Sequence, residues 1–210
     1  MRPILQRSAR LIGALCLIAA ATAAEEAWKP MFDGVSLKNW KETPFAGRGK
    51  VSVADGSIVL GNGYMTGVNY TGTLPKSNYE IRLEAMRVDG HDFFAGITFP
   101  VNDSFCSWIV GGWGGSVVGL SSLDDMDASE NETSMSRNFE TGKWYPLVLR
   151  VFTDRIQAWI GDEQIIDVNI ANRVVGLRFG EIELSKPFGI ASYSTTAKLR
   201  KIEWRPIAAQ

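Results

Sequence analysis

Cysteine is scarce: Cys16 and Cys106 are the only two in 210 residues. Cys16 falls inside an N-terminal apolar run, so the rest of the chain carries one thiol and no intrachain disulfide. Histidine is scarcer, with His91 alone, which excludes a multi-histidine metal site within one subunit. No apolar stretch makes a comfortable membrane span, which needs ~20 residues. Helical periodicity is nearly absent. An excess of one charge is also lacking: 22 basic residues face 23 acidic ones, leaving no electrostatic footprint for nucleic acid or anionic membranes.

The first residues read as an export signal. Arg2, Arg7 and Arg10 form a positive region and Leu11 to Ala21 a short apolar run. Small residues follow, with cleavage expected near Ala23-Ala24. This predicts a signal peptide over 1–24, a mature domain over 25–210, a bacterial secreted or periplasmic location and no stable membrane span after cleavage. Loss of the three arginines leaves 19 basic residues against 23 acidic ones, a net charge near −4. A disulfide-free exported chain of this length must be held by its core, and it is long enough to bury one.

What is present is strand after strand. Lys50 to Ala54 and Ser57 to Gly61 flank Asp55-Gly56, the residue pair that a type I′ hairpin turn demands. From Asn78 to Val88 the chain alternates, with Tyr79, Ile81, Leu83 and Ala85 on one face and Glu80, Arg82 and Glu84 on the other. Further strands are expected over 93–99, 105–110, 144–152, 155–160, 164–168, 188–194 and 197–207. Short strands separated by Gly, Asn and Asp clusters, with 21 glycines in all, predict an all-β domain, a sandwich or barrel. The first and last strands are expected to pair.

Several segments in order carry a resemblance. Phe32-Asp33-Gly34-Val35-Ser36-Leu37 with Trp40 opens it, followed by Asp55 to Gly63 and by Tyr79-Glu80-Ile81-Arg82-Leu83-Glu84. Trp144-Tyr145, the hairpin from Ile156 to Val168 and Pro187-Phe188-Gly189-Ile190 complete it. The series, spanning residues 28–206, resembles the bacterial 3-keto-disaccharide hydrolase family. The resemblance implies a two-sheet antiparallel β-sandwich, a concanavalin A-like jelly roll. It also implies a hydrolase, lyase or hydratase acting on 3-keto-glycosides by C2 proton abstraction, with a carbohydrate as partner. A non-catalytic, lectin-like carbohydrate-binding module is the alternative, because a sandwich by itself does not decide function.

Such chemistry needs a base and an oxyanion stabiliser, and a divalent metal could serve as the second. Asp124, Asp125, Asp127, Glu130 and Glu132 put five carboxylates in nine residues, an arrangement that raises pKa values or invites a cation. From this stretch, Asp125, Asp127, Glu130 and Glu132 are candidate catalytic groups, and Asp125, Asp127 and Glu130 candidate metal ligands. A solvated acidic loop is the plain reading of the same residues. Arg137 is a candidate oxyanion donor and Lys186 a candidate sugar contact. Gly112, Trp113 and Gly114 suggest close backbone approach and an indole platform for a sugar, with Trp108 beside them; a glycine-rich turn around a core tryptophan is the alternative. His91, at a turn, is either a cleft residue or a surface histidine. The glycines lack the Lys-Ser/Thr of a phosphate loop, so no nucleotide or organic cofactor is expected.

Overall fold

The computed structural model describes residues 26–209; the expected signal peptide lies outside them. In chain order the strands are β1 Lys29–Pro30, β2 Trp40–Glu42, β3 Val51–Ala54, β4 Ser57–Leu60 and β5 Met65–Tyr70. Next come β6 Tyr79–Gly90, β7 Ala95–Val101, β8 Ser104–Gly112, β9 Val117–Ser121 and β10 Met135–Ser136. β11 Trp144–Val151, β12 Arg155–Ile160, β13 Glu163–Asn169, β14 Gly189–Tyr193 and β15 Thr195–Pro206 complete the set. A 3-10 turn, Glu181–Ser185, precedes β14, and no α-helix occurs among the described residues.

Every strand pairing is antiparallel. One sheet runs β13-β12-β11-β6-β15-β4-β3 with β1 on β15, and the other runs β10-β9-β8-β7-β14-β5-β2. The expected two-sheet sandwich is therefore the fold, and the first and last strands do pair. Alternation places the core. Tyr79, Ile81, Leu83 and Ala85 of β6 and Cys106, Trp108 and Val110 of β8 are buried between the sheets. The Asp55-Gly56 turn has both residues at positive φ, 51° and 70°, as a type I′ turn requires.

Five strands lie outside the expected ranges: the short β1, β2 and β10, and the longer β5 and β9. In β5 and β9, Gly67 and Gly119 interrupt the alternation by which a strand is recognised. The structure supplies the reason: a Cβ on Gly119 would lie 2.6 Å from the Ala128 carbonyl oxygen. The glycine admits the backbone of the acidic segment against β9. Glu80, expected on the wet face of β6, is 2% exposed. It accepts hydrogen bonds from Arg150 Nε at 2.7 Å and Arg205 Nε at 2.8 Å, and Trp28 roofs the Arg205 guanidinium at 4.4 Å. A buried carboxylate is tolerable in that setting because it is paired twice.

Two features position the outer surface of the seven-stranded sheet. The first is Arg87, which continues the inward-facing series of β6 and is 7% exposed. Its Nη2 donates to the carbonyls of Gly115 at 2.9 Å, Asp92 at 3.2 Å and Gly111 at 3.3 Å. Burial lowers its pKa, and the nearby Asp92 charge opposes that shift. The second is the β9–β10 connection. Asn131, buried, donates to the carbonyls of Leu120, Met126 and Asp127 and accepts from the Thr133 N–H. Outside it, Arg173 grips Asp124 and Glu132.

Replacing Arg87 with Met is expected to lower unfolding free energy by about 3 kcal/mol, the order for buried carbonyls that lose a charged donor. Urea denaturation reads this, and Arg87→Lys should not restore it, because one ammonium lacks the planar fork; wild-type stability in Arg87→Met would refute the role. The Arg173 pairs make a pH prediction. Hydrogen bonds from Arg173 hold both Asp124 and Glu132 below the usual carboxylate range. Their stabilisation is therefore complete above the unfolded-state value near ~4 and is lost as pH falls through the lower folded value. The melting-temperature gap between wild type and Arg173→Met should be widest near neutral pH and close towards strong acid. A gap independent of pH would contradict it.

Candidate functional site

The outer face of the seven-stranded sheet carries a cleft of about 390 Å³. Its floor comes from the residues of β8 and β9 that alternate away from the core: Ser107, Ile109 and Ser121. The Ser107 hydroxyl shares a 2.8 Å hydrogen bond with Thr98 on β7, which fixes a polar strip in the sheet. Met65 of β5 and Tyr193 of β14 extend the floor, and Phe93 and Ile182 pack against them.

One wall is the turn before β7 and the turn after β8, locked together. Asp92 Oδ1 accepts from the Phe93 N–H at 2.8 Å and Oδ2 from the Gly114 N–H at 2.9 Å. Arg87 reaches the same two turns from beneath. Gly111, Gly114 and Gly115 take φ of 79°, 84° and 112°, backbone that a side chain rarely permits. Trp113, at φ 49°, is thereby pushed to the rim, 39% exposed.

The opposite wall is the connection over residues 170–188. Arg178, Phe179, Gly180 and Glu181 line the cleft in succession. Glu181 Oε2 accepts from the Ala46 N–H at 2.9 Å, and the residue lines the cleft. The 3-10 turn that carries Glu181 is clamped to β5: Asn69 Nδ2 donates to the carbonyls of Leu184 at 2.8 Å and Lys186 at 3.0 Å, and its Oδ1 accepts from Thr43. The Arg178 guanidinium stands 5.7 Å from the Trp113 ring and 3.7 Å from Asp127. Tyr193 has its hydroxyl pKa raised first by a hydrogen bond with Tyr64, then by burial and nearby charge.

The sequence-derived candidates divide against this geometry. Trp113 lines the cleft, and Gly112 and Gly114 frame it. Trp108 does not: it is 0% exposed, on the core side of β8. His91 is exposed beside Asp92, and its carbonyl, not its ring, is what lies against Gly115. Arg137 is drawn to Glu163 at 2.6 Å, and Lys186 to Glu183 at 3.3 Å; neither lines the cleft.

The acidic segment lies beside the cleft, touching it through Asp127 and Arg178. Asp124 and Asp125 form a tight turn closed by Leu123 and Met126, and Asp127 Oδ1 is occupied by the Ser129 N–H and hydroxyl. Glu130 accepts from the Asp127 N–H, and Glu132 pairs with Arg173. Asp125, Asp127 and Glu130 therefore do not converge as ligands, and among the described residues no group of three His, Cys, Asp or Glu could hold a metal ion.

Asp92, Arg178, Glu181, Tyr64 and Tyr193 were not singled out from sequence. The one available signal was the length of the strandless stretch 170–188, since long connections in compact domains are usually functional. No described helix is long and apolar enough to cross a membrane.

Solved structures with the same fold include the carbohydrate-binding module CBM66 from Bacillus subtilis. It is 12% identical with a TM-score of 0.54, over 78% of this chain and 93% of that one. The Crh5 transglycosylase matches at 12% identity and TM-score 0.58, over 87% and 84% of the two chains. Domain 4 of the arabinanase AbnA from Geobacillus stearothermophilus, solved with arabinotriose, matches at 14% identity and TM-score 0.52, over 81% and 84%. No curated protein sequence matches significantly. The model of the 3-keto-alpha-glucoside-1,2-lyase-like domain matches residues 27–205. That span takes in both sheets and both walls of the cleft, and the chain belongs to this family of carbohydrate-active sandwich domains.

Proposed function

We propose that the cleft is the active site of an exported lyase or hydratase for 3-keto-glycosides, with Glu181 as the base. The observation that carries this reading is the pairing of a fixed carboxylate with a cation in an aromatic-lined cleft. Glu181 is held through one oxygen and lines the cleft, and Arg178 lines the same wall three residues earlier.

A ketone at C3 acidifies the C2–H bond, because the resulting electron pair delocalises onto the ketone oxygen. Glu181 Oε1 takes the C2 proton, giving the enolate. Arg178 and the Ser121 hydroxyl donate to its oxygen, where charge develops. The enolate collapses, C1=C2 forms and the bond from C1 to the aglycone oxygen breaks. That oxygen takes the proton that Glu181 removed from C2, which restores the carboxylate and leaves a 1,2-unsaturated 3-keto sugar. Addition of water across the new double bond completes a net hydrolysis. Trp113 offers an indole face to the apolar side of the ring. Asp92 works differently: both of its oxygens accept backbone N–H groups, so it shapes the wall. No step is routed through a metal, since the acidic segment does not assemble a ligand set.

The test is turnover of a panel of 3-keto-glucosides, with and without chelator, followed by mass spectrometry. Glu181→Gln should lower kcat by about 10²- to 10⁴-fold, the usual contribution of a general base, with KM little changed. Asp125→Ala and Glu130→Ala should turn over at the wild-type rate. The reverse pattern would move the base to the acidic segment. Saturable sugar binding with no product from any 3-keto-glucoside would make the cleft a lectin-like site.

A further inference from the structure

The cleft offers more room than one sugar ring fills, and its outer part has a distinct chemistry. Phe179 is 95% exposed and Tyr64 57%. Singly exposed apolar residues are ordinary, but these two line one cleft, where grouped apolar surface marks a ligand-binding groove. Both line the cleft together with Glu181. Phe179 is separated from it by Gly180, whose φ of 129° turns the chain between the outward ring and the inward carboxylate. Tyr64 meets the segment whose Ala46 N–H holds that carboxylate, its Cβ lying 3.3 Å from where a Cβ on Gly47 would be.

The polar groups of this rim are already engaged. Arg178 and Glu181 serve the first sugar ring in the reading above, and Asp92 is bonded at both oxygens. Asp92, Asp127 and Glu181 outnumber the one cation, so an anionic group would be repelled. A second sugar would ask for hydrogen-bonding groups that the rim has already committed. Flat apolar surface is what it leaves open.

From this we infer that Phe179 and Tyr64 form a subsite for an uncharged aromatic aglycone, so that the preferred substrates are aryl 3-keto-glucosides. The inference rests on the sugar-cleft reading above. Loss of a phenol at C1 suits the site, because a phenolate leaves with less help from an acid than an alkoxide does.

The experiment separates the two claims by measuring binding and turnover independently. Calorimetry on Glu181→Gln protein compares phenyl 3-keto-glucoside, methyl 3-keto-glucoside and a 3-keto-glucosyl-glucose. The phenyl compound should bind roughly tenfold tighter than the methyl one, as partial burial of one ring allows. Adding Phe179→Ala should bring that ratio near one. Tightest binding of the disaccharide, or a ratio untouched by Phe179→Ala, would overturn the subsite. In the wild-type background, Phe179→Ala should likewise reduce the phenyl-to-methyl ratio of kcat/KM roughly tenfold, a comparison in which intrinsic leaving-group reactivity cancels. If the binding ratio behaves as expected while wild type turns over none of the three, the subsite stands and the lyase reading falls. Turnover without an aryl preference is the converse result, and no binding of any compound overturns both.

Discussion

The guanidinium of Arg87 sits where a core side chain would, at the end of the inward-facing series of β6, and its Nη2 holds three carbonyl oxygens. Those carbonyls belong to the turn before β7, the end of β8 and the turn after it, so one cation ties two loops that would otherwise move apart. With the loops joined from below by Arg87 and from above by Asp92, the glycines between them can hold positive φ and lift Trp113 to the rim. Burial disfavours the charge on Arg87, but the carbonyl dipoles and the ring faces of Phe94 and Phe139 at 5.3 and 6.0 Å compensate.

The opposite wall is organised by neutral groups. Asn69 and Thr43, both buried, clamp the 3-10 turn onto β5 through its carbonyls, and the Ala46 N–H fixes the carboxylate of Glu181. Each wall thus contains a carboxylate with a different assignment. Asp92 spends both oxygens on backbone N–H groups and becomes structure, while Glu181 spends one and keeps one. Chemical availability here is decided by the number of donors aimed at a group, not by the residue type.

The acidic segment shows the same division at larger scale. Five carboxylates in nine residues looked like a cation site or a base by composition, because charge density along the chain is easy to see. In space the charges are dispersed: Arg173 neutralises two, Asp127 closes a local turn, and Asp125 stands in solvent. The opposing arginine comes from a distant stretch of chain, and nothing near the acidic residues announces it.

The strand set and the sandwich were largely legible in sequence, because alternation and turn residues are local signals of period two. β12 lies where its alternation puts it, Asp55-Gly56 forms the turn its φ preferences dictate, and the two ends of the chain pair. β5 and β9 were hidden, since glycine there answers to a neighbouring backbone rather than to the strand's own pattern. The cleft was half legible. Trp113 and its glycines stood out because positive φ is written locally, whereas Glu181, Asp92 and Arg178 are ordinary residues in ordinary contexts. Sequence by itself determined the period, the turns and the sorting of apolar residues into the core. Only the tertiary structure decided which polar side chains face a shared cavity and which are consumed by partners, because that depends on donors and charges brought from far along the chain.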